Sequence, residues 1–197
     1  MDGVIADFYG HFLSIWREKY PDRVYVKPED VTAFYLETLY PEEYAQDILD
    51  ILRAPGFFAN LPPMPGAIEA LKKLDEEGKF EIYLCSTPDS DSVNHNCSSE
   101  KVRWVERHLG KKWVKDVILT HDKTLVYGDF LLDDKPNIKG LRKPAWLQIV
   151  FSHTYNKGIG FQMNGWDKWP SVEEYILKLH KAFSEPMIHS DNEEIYE

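Results

Sequence analysis

The sequence predicts an α/β fold, a parallel-sheet core with a small all-helical insertion near its start. Two observations carry this. From Ala67 onward, short apolar runs alternate with amphipathic stretches in the order helix, strand, helix, strand, strand, strand, helix. Nearly continuous apolar strands belong to parallel sheets covered on both faces. From about Ser14 to Leu61, by contrast, apolar residues recur at helical spacing and no segment reads as a strand.

Taken in order, Asp2-Gly3-Val4 is a turn-prone start, and a helix is expected from about Asp7 because Phe8, Phe12, Ile15 and Trp16 share one face. Pro28-Glu29-Asp30 opens a short segment. Pro41-Glu42-Glu43 opens a further helix, whose acids face the unpaired amides of its first turn and whose stripe is Ile48, Ile51 and Leu52. Leu61-Pro62-Pro63-Met64-Pro65-Gly66 is a rigid junction. A helix is expected over Ala67 to Glu77, a strand over Phe80 to Cys85, and a helix over Ser99 to Leu109. Val117–Leu119, Phe130–Leu132 and Trp146–Phe151 are strand candidates, and Ser171-Val172-Glu173-Glu174 has capping-box spacing for a last helix through Phe183. The expected division is a core of residues 1–13 and 62–183, a helical cap of 14–61, and a tail of 184–197 with five acids and no Lys or Arg.

Composition excludes several functions. With 43% hydrophobic residues the 197-residue chain can build a core, so disorder is a poor default. A formal charge of -10 argues against a nucleic-acid polymer as partner. It does not argue against a small phosphorylated ligand, because one divalent cation reverses the local field. No stretch approaches 18 apolar residues and no basic-then-apolar leader opens the chain, so neither membrane nor secretion is expected and the location reads as cytoplasmic. Cys85 and Cys97 make no disulfide framework, and with His95 they lack a fourth ligand for zinc. Trp166-Asp167-Lys168-Trp169 reads as packing at a solvent edge before the last helix.

Open parallel sheets bind ligands beyond the carboxyl ends of their strands. Three polar clusters fall at such positions: Asp2-Gly3-Val4, Ser86-Thr87-Pro88 and Asp133-Asp134-Lys135-Pro136. Together they describe a phosphate and Mg²⁺ site. Mg²⁺ takes carboxylate and carbonyl oxygens and keeps several waters. The small hydroxyls of Ser86 and Thr87 can donate to phosphoryl oxygens, and Lys101 adds positive charge opposite them.

The same clusters resemble the 5′(3′)-deoxyribonucleotidase family of the haloacid dehalogenase-like superfamily. Met-Asp-Gly-Val-Ile-Ala-Asp-Phe at residues 1–8 is similar to the family's first motif, Asp-Met-Asp-Gly-Val-Leu-Ala-Asp-Phe, without its first Asp. Cys85-Ser86-Thr87-Pro88 resembles the second motif with its hydroxyls in swapped order. Glu100-Lys101 with Trp104-Val105-Glu106 resembles the helix of the third-motif lysine. Ile118 to Thr124, then Leu132-Asp133-Asp134-Lys135-Pro136, resemble the fourth motif and its approach. The likeness spans about residues 1–155 in the family's order.

The resemblance implies a Rossmann-like core and a Mg²⁺-dependent phosphomonoesterase that acts on nucleoside monophosphates through an aspartyl-phosphate. It makes Asp2 the acid/base, with its carbonyl at the metal, and Ser86, Thr87 and Lys101 the phosphate-binding groups. Asp133 and Asp134 are the acidic pair at the metal, with Asp133 favoured as the direct ligand. Phe8, Phe34, Tyr35, Leu36 and His121 surround the substrate. Leu52 and His121 stand where family members carry Trp and Arg. Asp7 is expected to cap or hold the loop. A homodimer is compatible with all of this.

The family's nucleophilic Asp falls one position before Met1. The expectations are therefore an active phosphatase whose natural chain starts earlier, a non-catalytic nucleotide- or phosphate-binding relative, or an interaction module completed by a partner's strand.

Overall fold

The computed structural model describes residues 1–89 and 96–184, the last three by backbone alone. His95 and the acidic tail beyond residue 184 lie outside the described residues.

Helix α1 (Phe8–Lys19) starts where Asp7 can cap it, its carboxylate accepting the Gly10 amide at 2.9 Å. A side chain at Gly10 would collide with that carboxylate, so the close cap requires glycine there. Phe12 and Trp16, one turn apart, are fully buried and pack on Tyr40 at ring separations of 5.7 and 5.1 Å. α1 runs unbroken from residue 8 to 19, across the expected core–cap boundary at residue 13. Short 3₁₀ turns (Pro28–Asp30, Leu36–Leu39 and Glu42–Tyr44) follow, then α2 (Ala45–Leu52), which buries Ile48 and Ile51. Asp47 on α2 accepts the Tyr20 hydroxyl at 2.7 Å and pairs with Arg23, tying the far end of α1 to α2. The chain returns beside its point of departure: the Asp7 amide donates to Pro62 O at 2.7 Å and Met64 N to Ile5 O at 2.9 Å.

α3 (Ala67–Glu77) lies between Gly66 and Gly78, both left-handed at φ 77° and 63°. β1 (Leu84–Ser86) pairs in parallel with β2 (Val117–Leu119), with α4 (Asn96–Leu109) crossing between them. β3 (Phe130–Asp133), β4 (Leu147–Phe151) and β5 (Phe161–Met163) form a second all-parallel sheet, and α5 (Trp169–Ser184) ends the described chain. The α/β class and the parallel strands match the expectation from the sequence.

Four details differ. The strand expected from Phe80 starts at Leu84, because β2 offers only three partners, beginning at Val117 opposite Leu84. α4 begins three residues earlier than Ser99. β5, too short and mixed to stand out in sequence, was not anticipated. Ser171 is not a cap: a 3₁₀ turn over Trp166–Lys168 leads straight into α5 at Trp169, so Ser171 sits inside the helix.

Trp166 is also not at a solvent edge. It is 5% exposed and its indole donates to Val4 O at 2.8 Å, holding the first loop against the start of the last helical segment.

The two sheets are not hydrogen-bonded to each other. Ser86 at the carboxyl end of β1 and Asp133 at that of β3 open on one cavity, and Met1 and Asp2 line it with them. Met1 O accepts the amides of Val4, Ile5 and Ala6 at 3.2, 2.9 and 3.2 Å, which winds this loop into a tight turn beneath Asp2.

Candidate active site

Three segments far apart in sequence converge at this cavity. The loop of residues 1–6 brings Asp2, the end of β1 brings Ser86, and α4 brings Lys101. The Lys101 ammonium donates to Asp2 Oδ2 and, at 3.0 Å, to Ser86 Oγ. Lys101 is 1% exposed, and the Phe58 ring lies 4.9 Å from its nitrogen, so its charge acts in a dry environment. Burial opposes ionisation of Asp2, but the adjacent Lys101 outweighs it and holds the carboxyl below the usual range. Asp2 Oδ1 is buried with no hydrogen-bond partner. Thr87 lies exposed on the cavity wall beside Ser86.

Asp133 and Asp134 face the cavity from the end of β3, both buried. Asp133 pairs with Lys123 and accepts the Lys135 amide at 3.0 Å. Burial disfavours the Lys123 charge, but Asp133 more than offsets this and raises its pKa. Asp134 accepts the Tyr155 hydroxyl at 2.5 Å; burial and the neighbouring Asp133 push its carboxyl above the usual range. Gly3, at φ +69°, makes this close approach feasible, because a β-carbon there would strike the Asp134 carboxylate. Burial likewise raises the thiol of Cys85, behind the site.

Among the described residues no three His, Cys, Asp or Glu side chains form a ready cage for a metal. Mg²⁺ does not need one, since it binds through one or two carboxylates and retains waters. The buried Asp133–Asp134 pair is a donor set of the right chemistry.

The cavity holds about 900 Å³, and residues between Pro28 and Leu52 build its far wall. Phe8, Phe34, Tyr35, Leu36, Leu52 and His121 all line it. They are not equivalent. Phe8 packs on Phe57 and Phe58 at 5.6 and 6.3 Å, and Leu36 is 6% exposed, whereas Tyr35 is 52% exposed and Lys135 lies 5.3 Å over its ring.

Sequence reasoning missed Lys123, His153 and Tyr155 as site residues. Lys123 follows the end of β2 and His153 and Tyr155 follow the end of β4, which is the strand-end rule that found Ser86.

The family model described as 5′ nucleotidase, deoxy (pyrimidine), cytosolic type C protein matches residues 1–183. The chain belongs to the 5′(3′)-deoxyribonucleotidase family. It is similar to a putative 5′(3′)-deoxyribonucleotidase of Bordetella bronchiseptica, 43% identical over 156 residues, covering 79% of this chain and 82% of the relative. The human cytosolic-type 5′(3′)-deoxyribonucleotidase is 37% identical over 161 residues (80% and 79%), and the human mitochondrial one 32% over 182 residues (87% and 79%). Membership in the 5′(3′)-deoxyribonucleotidase family makes the chain an enzyme of the hydrolase class, a phosphatase. No helix among the described residues is long and apolar enough to cross a membrane.

Proposed function

We propose that this protein is a Mg²⁺-dependent phosphatase of deoxyribonucleoside monophosphates that works through an aspartyl-phosphate. The observation that carries this is the contact of buried Lys101 with Asp2 and Ser86, two residues that line a cavity whose opposite wall is aromatic. A phosphate fits among the Ser86 and Thr87 hydroxyls and the Lys123 ammonium, with the buried Lys101 charge behind Ser86. A planar base fits against Phe34 and Tyr35. Asp133, Asp134 and the Asp2 carbonyl would hold Mg²⁺, which supplies Lewis-acid charge to the phosphoryl oxygens.

In this reading the nucleophile is the first Asp of the family's motif, which residues 1–8 do not include. Its carboxylate attacks phosphorus while Asp2 protonates the leaving nucleoside oxygen. Asp2, then ionised, takes a proton from the water that cleaves the acyl phosphate, and the free Asp and inorganic phosphate result. Lys101 beside Asp2 favours the ionised form needed in this second step and works against the protonated form needed in the first.

The test is Mg²⁺-dependent phosphate release from dUMP and dTMP, by the 197-residue chain and by one extended with an apolar strand ending in Asp. Turnover by the extended chain that vanishes with EDTA or with Asp2→Asn is expected. Binding of dUMP without turnover by either chain would replace this proposal with a non-catalytic nucleotide-binding relative. Recovery of a complex in which another protein completes the sheet would favour an interaction module, the reading that the split sheets themselves suggest as second choice.

A cytoplasmic location accords with the cytosolic type among the relatives. A homodimer is the proposed assembly; sedimentation velocity tests it.

A further inference from the structure

The crossover from β4 to β5 carries His153, Thr154 and Tyr155, which touch three different parts of the cavity. His153 Nε2 lies 2.6 Å from Gly3 O, in the loop that presents Asp2. A carbonyl can only accept, so Nε2 bears the proton. Thr154 Oγ1 donates to Val31 O at 2.5 Å, in the cap. The Tyr155 hydroxyl donates to Asp134 Oδ2 at 2.5 Å.

This segment is itself fixed. The His153 and Tyr155 rings lie parallel, 6° apart in plane with centroids at 5.2 Å. Asn156, fully buried, accepts the His153 amide at 2.8 Å and donates to Asp134 O at 2.7 Å and Phe151 O at 2.9 Å. Asp134 is thus gripped at its carbonyl by Asn156 and at its carboxylate by Tyr155. Tyr155 also meets the ring of Phe34 edge-on at 6.0 Å, a second link to the cap.

We infer that His153, Thr154 and Tyr155 are positioning residues that form a three-way tie, setting the Asp2 loop, the cap and the Asp134 carboxylate relative to one another. The physical reason is geometric. Acid/base and phosphate-binding groups contribute fully only when held within a fraction of an ångström, and the supporting contacts decide that. Each prong governs a different quantity. His153 sets the reach of Asp2, and so the chemical step. Thr154 sets the cap, and so substrate affinity. Tyr155 sets the direction of Asp134, and so cation affinity. The tie rests on the proposed phosphatase reading for its kinetic consequences, though not for its existence.

Three near-isosteric variants separate the prongs: His153→Phe, Thr154→Val and Tyr155→Phe each keep the shape and remove the hydrogen bonds of one prong, His153→Phe with the bond it accepts from the Asn156 amide and Thr154→Val with the longer one to Pro28 O at 3.5 Å. In phosphate release from dUMP by the extended chain, His153→Phe is expected to lower kcat by about tenfold or more with KM little changed. Thr154→Val is expected to raise KM by roughly fivefold with kcat little changed. Tyr155→Phe is expected to raise the Mg²⁺ concentration for half-maximal rate by roughly tenfold. Hydrogen exchange on the 197-residue chain provides a readout that needs no turnover. His153→Phe should speed exchange of the Gly3 to Ala6 amides, and Thr154→Val that of residues 29–34, each leaving the other stretch unchanged. Equal effects on both stretches, or on neither, would overturn the tie. Separate exchange effects with no hydrolysis by any chain would keep the tie and reject the phosphatase reading instead.

Discussion

The Glu100 carboxylate accepts the Phe58 amide at 3.0 Å, and with it the amides of Gly56 at 2.6 Å and Ala59 at 3.4 Å. Glu100 is 4% exposed and sits beside Lys101 on α4, so one helix grips the chain at residues 56–59 and carries Lys101 to Asp2 and Ser86. Trp104 and Arg107 extend the grip along the same helix, donating to Leu61 O at 2.7 Å and Ala59 O at 2.9 Å. Glu100→Leu strands three amides in a dry environment. A loss of about 3 kcal/mol of stability is expected in urea unfolding, and a smaller one for Glu100→Gln. An unchanged midpoint in Glu100→Leu would refute the grip.

Gly3→Ala tests the contact between the first loop and Asp134. The residue combines a left-handed backbone with a neighbour that leaves no room for a β-carbon. The variant is expected to lose about 2 kcal/mol by denaturant titration. Gly78→Ala is the control: its backbone is equally left-handed, but open space surrounds it, so its loss should be the smaller.

Lys123→Met leaves Asp133 buried without its partner. The side chains are 14% and 4% exposed, and breaking such a pair costs about 3–5 kcal/mol. A cation that binds at Asp133 replaces the lost charge. Mg²⁺ should therefore raise the melting temperature of Lys123→Met more than that of the unmodified protein. Equal shifts in the two proteins would argue against Asp133 as a cation ligand.

Acid sensitivity of the cap is expected from Asp47. The hydrogen bond from Arg23, then that from Tyr20, holds its carboxyl below the ordinary value. The folded form therefore releases this proton more readily than the unfolded chain. The stabilisation is complete above the ordinary aspartate range and fades as pH falls through the depressed value. Between about pH 5 and pH 3, Asp47→Asn should lose less melting temperature than the unmodified protein. Parallel melting curves across that range would contradict the assignment.

Much of the site was legible in the chain because its parts lie at strand ends. Ser86 and Asp133 each stand at the end of a strand, and Asp2 in the turn that opens the chain, so position alone brought them together. Lys101 was legible through its helix. The partners that complete the site were not. Lys123 sits in a short 3₁₀ turn, Lys123–Leu125, with no periodicity to mark it. His153 and Tyr155 follow the end of β4, which marks their place, but the contacts through which they act lie 150 and 21 residues away and no local pattern names those partners. Ser171 misled for the converse reason: its capping spacing was real, but the chain enters α5 already helical. β5 exists by virtue of its pairing with β4, not of its own three residues.

β4 ends at Phe151 and β5 begins at Phe161, so only the nine residues 152–160 cross between two parallel strands. Parallel neighbours ordinarily need a dozen or more, most often with a helix among them. A surface loop can usually gain or lose residues at little thermodynamic cost, but this one engages three separate parts of the cavity along its short course. Deletions here would tear it from one anchorage or another, and insertions would let it sag away from all of them. Its length is thus as much a part of the enzyme as the identity of its side chains.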